Sequence, residues 1–243
     1  MNRYRHRDGD ERIWITPNEM EDLMSAELIK AGLMPELSDP VVDLATFVEQ
    51  HLKAEFDSYA PLDSTVLGET EFRVGARPKV SINKDLTGAA LDDDETQPGI
   101  LGRWRATVAH EATHVIVHRC LFNLNEDQGS LFAELDAAKP EVKHLQRCMK
   151  RDVLFRGSGT SDWREIQANM GMGALLMPKA LFVAAFRQEM EQLHLDRVDK
   201  WSAAVSTLVG QLATRFKVSK QAAGIRFETL ELLSQPGQAT IIG

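Results

Sequence analysis

Five consecutive residues, His110-Glu111-Ala112-Thr113-His114, have the types and spacing needed for metal-assisted hydrolysis. On a helix, positions four apart lie one above the other, so both imidazoles can reach a single tetrahedral ion. Glu111 is too close to them in sequence to be an obvious third ligand, but it is well placed to take a proton from an attacking water. The flanking residues predict that helix. Arg103 to Ala109 leads into the motif and Val115 to His118 continues it, with no Pro or Gly to break it. Val108, Ala112, Val115 and Ile116 recur at helical spacing, which buries one side and leaves the histidines along its edge.

A hydrolytic zinc site normally has three protein ligands and one position left for water, so another His, Asp or Glu must arrive from elsewhere. Glu165 is the best placed. It opens a second predicted helix that ends before Pro178, with Ser161 as its N-cap. The same position also suits a plainer role, because an acid in the first turn of a helix closes a capping box.

Two further pieces follow the first motif in order: Glu165-Ile166-Gln167-Ala168-Asn169 and Leu175-Leu176-Met177-Pro178. A third runs from Leu212-Ala213-Thr214-Arg215-Phe216-Lys217-Val218-Ser219 through Ala222-Ala223 to Arg226-Phe227 and Leu230. Together they resemble the ImmA/IrrE family of bacterial zinc metallopeptidases over roughly residues 70 to 232. The resemblance implies one zinc ion bound by His110, His114 and Glu165, with Glu111 as catalytic base. It implies a zincin-like metallopeptidase domain, and an endopeptidase of narrow specificity that cleaves a helix-turn-helix transcriptional repressor in a stress response or the life cycle of a mobile element. Asn169, one turn beyond Glu165, is expected to hydrogen-bond a ligand histidine and fix its tautomer. The stretch between His114 and Glu165 is longer than the family pattern, so an insertion at about 121–158 is expected. Nothing marks the group that stabilises the oxyanion: Tyr4 and Tyr59 are far upstream, and His118 and His144 remain open.

At 243 residues the chain can bury a substantial core. Its 28 basic against 36 acidic residues give a net charge of −8, which argues against broad nucleic-acid affinity. The charged opening from Met1 to Arg12 does not read as a signal peptide, and no stretch approaches a membrane span. A cytoplasmic protein with Cys120 and Cys148 as thiols is expected.

The predicted fold is α+β and mainly helical. Thr16-Pro17-Asn18-Glu19 is a capping box opening a helix to about Ala31. Asp39-Pro40 opens another, with Val42, Leu44, Phe47, Val48 and Leu52 at helical spacing. Residues 64–67, 71–74 and 79–83 read as short strands of a small sheet ahead of the zinc helix, with Gly68 and residues 75–78 as turns. The acidic run 92–95 reads as a solvated loop. From residue 129 the pattern reads as helical again, and Lys139, Lys143, Arg147, Lys150, Arg151 and Arg156 as a solvated face. His118, Cys120, His144 and Cys148 lack a common spacing for a second zinc site. Helices are expected after Pro178 and over 201–216, and a mobile tail over 234–243. The expected division is a metallopeptidase domain over 1–200 and a C-terminal helical region over 201–243. Residues 205–232 also imitate a helix-turn-helix carrying Arg215, Lys217, Lys220 and Arg226, so a DNA-binding or regulatory protein is the alternative. Leu208, Leu212, Phe216, Ile225 and Leu230 instead favour a helical pair that completes the core.

Overall fold

The computed structural model describes residues 2–6, 11–73, 75–92, 98–122, 143–149, 162–198 and 202–233. A short antiparallel hairpin opens it, β1 (Asn2–Arg5) on β2 (Glu11–Trp14), with Ile13 and Ile15 turned into the core. The expected capping box then starts α1 (Pro17–Ala31): Thr16 accepts from the Glu19 amide, and Glu19 accepts from the Thr16 amide at 2.8 Å. Gly32, at φ 67°, ends the helix in the left-handed conformation that favours glycine.

The next helix begins later than expected. Asp43, not Asp39, caps α2 (Leu44–Thr46), which continues as a π-helical turn over Phe47–His51. The sheet follows: β3 (Glu55–Ala60), β4 (Val66–Arg73), β5 (Lys79–Asn83) and β6 (Lys143–Met149), in the order β3-β5-β4-β6. β3 runs parallel to β5, while β4 is antiparallel to both of its neighbours.

Two expectations are corrected in this sheet, and one of its strands, β3, was not foreseen. Gly68 is not a turn but lies inside a single strand, β4, where an added Cβ would meet Thr107 Cγ2 at 2.7 Å and Glu111 Oε1 at 2.9 Å. Only a glycine lets the strand approach the motif helix this closely. β3, at one edge of the sheet, is mostly half-exposed, so its sequence lacks the buried alternation that marks a strand. Finally, β6 is extended where a helical pattern was expected, because it completes its backbone hydrogen bonds on β4.

After β5 come α3 (Lys84–Thr87) and α4 (Pro98–Thr113), which passes through a π-helical turn, His114–His118, into α5 (Arg119–Phe122). Then follow α6 (Trp163–Leu176), α7 (Lys179–Gln192), α8 (Ala203–Arg215) and α9 (Lys220–Thr229). α6 lies tightly on α4, since a Cβ at Gly171 would stand 2.3 Å from Thr113 Cγ2. The tilted and edge-to-face rings of Phe182, Phe186, Phe216 and Phe227 join α7 and α9 to the end of α8. No single helix among the described residues is long and apolar enough to cross a membrane. The expected 92–95 loop falls outside the described residues apart from Asp92, as do Lys139, Lys150, Arg151, Arg156 and the tail.

Candidate metal centre

α4 and its π-helical continuation carry a row of three histidines, His110, His114 and His118, all fully buried. π turns inside α-helices concentrate at functional sites, where the widened turn redirects side chains. α6 faces this row with Glu165 and Asn169 from its first two turns. Glu165 does not close a capping box. Asp162 caps α6 in place of the expected Ser161, by accepting from the Arg164 amide, and the Glu165 carboxylate turns to the histidines.

Its Oε2 lies 3.0 Å from His110 Nε2 and its Oε1 3.4 Å from His114 Nε2, while the two Nε2 atoms are 3.2 Å apart. Ligands of a tetrahedral zinc at about 2.0–2.2 Å stand roughly 3.3–3.6 Å from one another. The three donors thus have nearly the mutual spacing that one small divalent cation imposes. Glu111 is also fully buried: Thr70 on β4 donates to its Oε2 at 2.6 Å, and its Oε1 has no hydrogen-bond partner. A buried carboxylate oxygen is costly to leave so, and the donor set beside it suits a cation.

The hydrogen bonds behind the histidines fix which ring nitrogens are bare. Gln167 donates from Nε2 to the Ile13 carbonyl at 2.8 Å, so its Oε1 accepts from His118 Nε2, 3.0 Å away. His118 Nδ1 is then an acceptor, and His114 Nδ1, at 2.9 Å, must donate to it. That leaves the lone pair of His114 Nε2 facing Glu165. His110 reaches the same state by a shorter route, since its Nδ1 donates to Asn169 Oδ1 at 3.1 Å. Both nitrogens of His118 are engaged in this chain, which removes it from the groups open for the oxyanion role.

Charge follows the same pattern. Burial pushes the Glu111 carboxyl up to about 8, against the pull of His110 and the Thr70 hydroxyl. Burial also lowers His114, and lowers His118 to about 3 with His114 adding to the effect, so the relay ring is neutral. At Glu165 burial opposes ionisation, but the imidazoles of His110 and His114, which favour the carboxylate when protonated, outweigh it and hold the carboxyl far below its usual range. At His110 burial is outweighed by Glu165 and Glu111, whose carboxylates favour the protonated ring and raise it.

Several members of the site were not evident in the sequence. Thr70 lies inside a strand with no motif of its own, and Gln167 occupies an unspecified position within E-x-x-A-N. The i, i+4, i+8 row of His110, His114 and His118 was the available signal for the relay. Among the described residues, no group of potential metal ligands joins Cys148 to His118 or Cys120. Cys148 lies instead beside His110 and Glu111, their potential ligand atoms all within 4.8 Å of one another. A cleft of about 480 Å³ between α1, α6 and α9, lined by Met20, Met170, Met172, Met177 and Arg226, shares Asn169 with the site.

No curated protein and no solved structure matches the chain. Residues 158–228 match the family described as Peptidase_M78, IrrE N-terminal-like domain. The match begins where the expected insertion ends, and it contains Glu165, Gln167, Asn169 and the α8–α9 pair. Over residues 158–228 the chain is therefore similar to the IrrE N-terminal-like domain, and these residues supply the carboxylate that meets the histidines of α4.

Proposed function

We propose that this protein is a zinc-dependent endopeptidase with a zincin-like catalytic domain, in which His110, His114 and Glu165 hold one zinc ion and Glu111 is the catalytic base. The observation that carries the reading is the convergence of the two bare Nε2 atoms and the Glu165 carboxylate, at 3.0 to 3.4 Å from one another, beside a buried carboxyl. Bound there, zinc supplies Lewis-acid polarisation of a peptide carbonyl and lowers the pKa of water towards about 7.

The rest of the chemistry belongs to the chain. Glu111 Oε1 takes the proton of the attacking water and returns it to the leaving amine. Thr70, bonded to Oε2, keeps Oε1 turned towards the reacting groups. His118 with Gln167, and Asn169, hold the two ligand rings in the tautomer and orientation that expose Nε2.

For substrate, the family resemblance favours a protein, specifically a helix-turn-helix repressor whose cleavage relieves repression under stress or in a mobile element, and a cytoplasmic setting. The alternative of direct DNA binding through residues 205–232 is weakened by what its cations do. Arg215 bonds Glu189, Gln188 and the Leu37 carbonyl, and buried Arg226 bonds Glu21 and the Met177 carbonyl. Capture of partners by the Glu111→Gln variant, identified by mass spectrometry, tests the function. A captured repressor that the wild type cleaves is the expected result; capture of nucleic acid alone would contradict it.

A further inference from the structure

β4 is the strand that touches the catalytic carboxyl. Thr70 bonds Glu111 directly, and Gly68 lies against Glu111 Oε1. One edge of β4 is paired with β5. The other would be a row of open backbone donors and acceptors running past Glu111, and such an edge binds extended peptides by adding them as a further strand.

β6 already lies on that edge. It pairs antiparallel to β4 from Val66↔Met149 to Arg73↔Lys143, placing Cys148 opposite Gly68 and Gln146 opposite Thr70. Residues directly opposite in a ladder share a face, so Cys148 and Gln146 point where Gly68 and Thr70 meet Glu111. Both are buried, and Cys148 Sγ comes within 4.8 Å of His110 and Glu111 ligand atoms. Leu145 and Arg147 alternate outwards, as the side chains of a bound extended peptide do.

Among the described side chains of β6, Gln146 and Cys148 face inward, and the ion pair of Arg147 with Glu69 at 2.8 Å is solvent-exposed at the arginine. In the described sheet β6 is an edge strand paired with β4, and a ladder open on its other side parts at lower cost than the core.

We propose that β6 is a self-blocking strap: it occupies, as an antiparallel strand on β4, the place of an extended peptide substrate, and a peptide enters only when β6 is displaced. This rests on the peptidase reading of the His110, Glu111 and His114 centre.

The probe is a fluorescein-labelled synthetic peptide of the sequence 143–149 carrying Cys148→Ser. Its binding to the full-length Glu111→Gln chain is compared with binding to the same chain carrying Gln146→Pro and Arg147→Pro. Adjacent amides point to opposite sides of a strand, so the two prolines remove at least one ladder bond to β4. The released chain should bind the probe at least about tenfold more tightly by fluorescence anisotropy. Equal binding by the two chains, or binding by neither, overturns the strap.

Hydrogen exchange on the unmodified chain decides the matter if the proline variant does not fold. Amides of residues 145–148 should exchange at least about tenfold faster than those of residues 80–82 through local opening. Exchange of both only together overturns the proposal. Cleavage of the probe by chains that retain Glu111 separates the two readings. Probe bound by the released chain while the wild type holds no zinc removes the peptidase and leaves the strap standing, whereas equal cleavage with and without the prolines removes the strap alone.

Discussion

Glu111 holds a proton that its surroundings make hard to release and that its proposed task requires it to exchange. Burial sets its pKa near 8, so among the protein groups alone it is largely neutral at pH 7. A divalent cation beside His110 favours the ionised form, which is the form a base needs. Replacement by Gln keeps the shape and removes the base, so Glu111→Gln should retain zinc while hydrolysis of a captured substrate falls by about 10²–10⁴-fold. Wild-type turnover by that variant would contradict the assignment. The raised pKa also has a sign. The folded chain keeps this proton where the unfolded chain releases it, so its contribution is full below about 4.5 and fades as pH rises towards 8. In protein stripped of metal by a chelator, thermal melts should show stability lost between about pH 5 and pH 8 in wild type, with a smaller loss in Glu111→Gln. Identical pH dependence in the two would contradict the buried neutral carboxyl. For the relay, Gln167→Leu leaves His118 Nε2 without its acceptor, and zinc affinity measured by competition with a chelator should fall by about 10–100-fold. Unchanged affinity would reduce the relay to packing.

At the scale of elements, the site depends on how closely α6 and β4 approach α4. Gly171 and Gly68 permit those approaches, and a methyl at either position collides with Thr113 or with Glu111. Gly171→Ala should destabilise the fold by about 1–3 kcal/mol by overpacking and shift Glu165 from the histidines. Chemical denaturation and zinc titration check the two effects, and a variant with wild-type stability and affinity would show that α6 has slack. Sequence made these elements legible to different degrees. α1 carried its start in a capping box, and α4 carried its chemistry and its period together, so both were readable. The place of Glu165 beside the histidines was readable only through the order of motifs, because a first-turn acid satisfies a cap equally well. β4 was split in the reading because a glycine inside a strand looks like a turn until the helix it accommodates is known. β6 was unreadable because its conformation is set by the open edge of β4, not by its own alternation.

Across the whole molecule, distant parts of the sequence hold one another in place. The C-terminal α9 is tied to α1 by Arg226, buried and bonded to Glu21 at 2.7 Å and to the Met177 carbonyl that ends α6. Removing one partner of a buried ion pair is costly, so Arg226→Ala should lower stability by about 3–5 kcal/mol, measured by denaturant unfolding. A loss under about 1 kcal/mol would indicate that α9 is held by its Phe227 packing alone. The tie also explains why a helix pair with helix-turn-helix spacing reads better as core: its arginines face inward partners, and the chain carries a net charge of −8. The hairpin acts at long range too, since the Ile13 carbonyl anchors the Gln167 amide and through it the ring of His114. The central claim is that α4 and α6 meet on one ion. Zinc per chain, measured by plasma mass spectrometry after dialysis, tests it most directly in wild type beside Glu165→Ala. The account predicts about one zinc in wild type and well under half of that in the variant. Equal zinc in both proteins, or none in wild type, would contradict it.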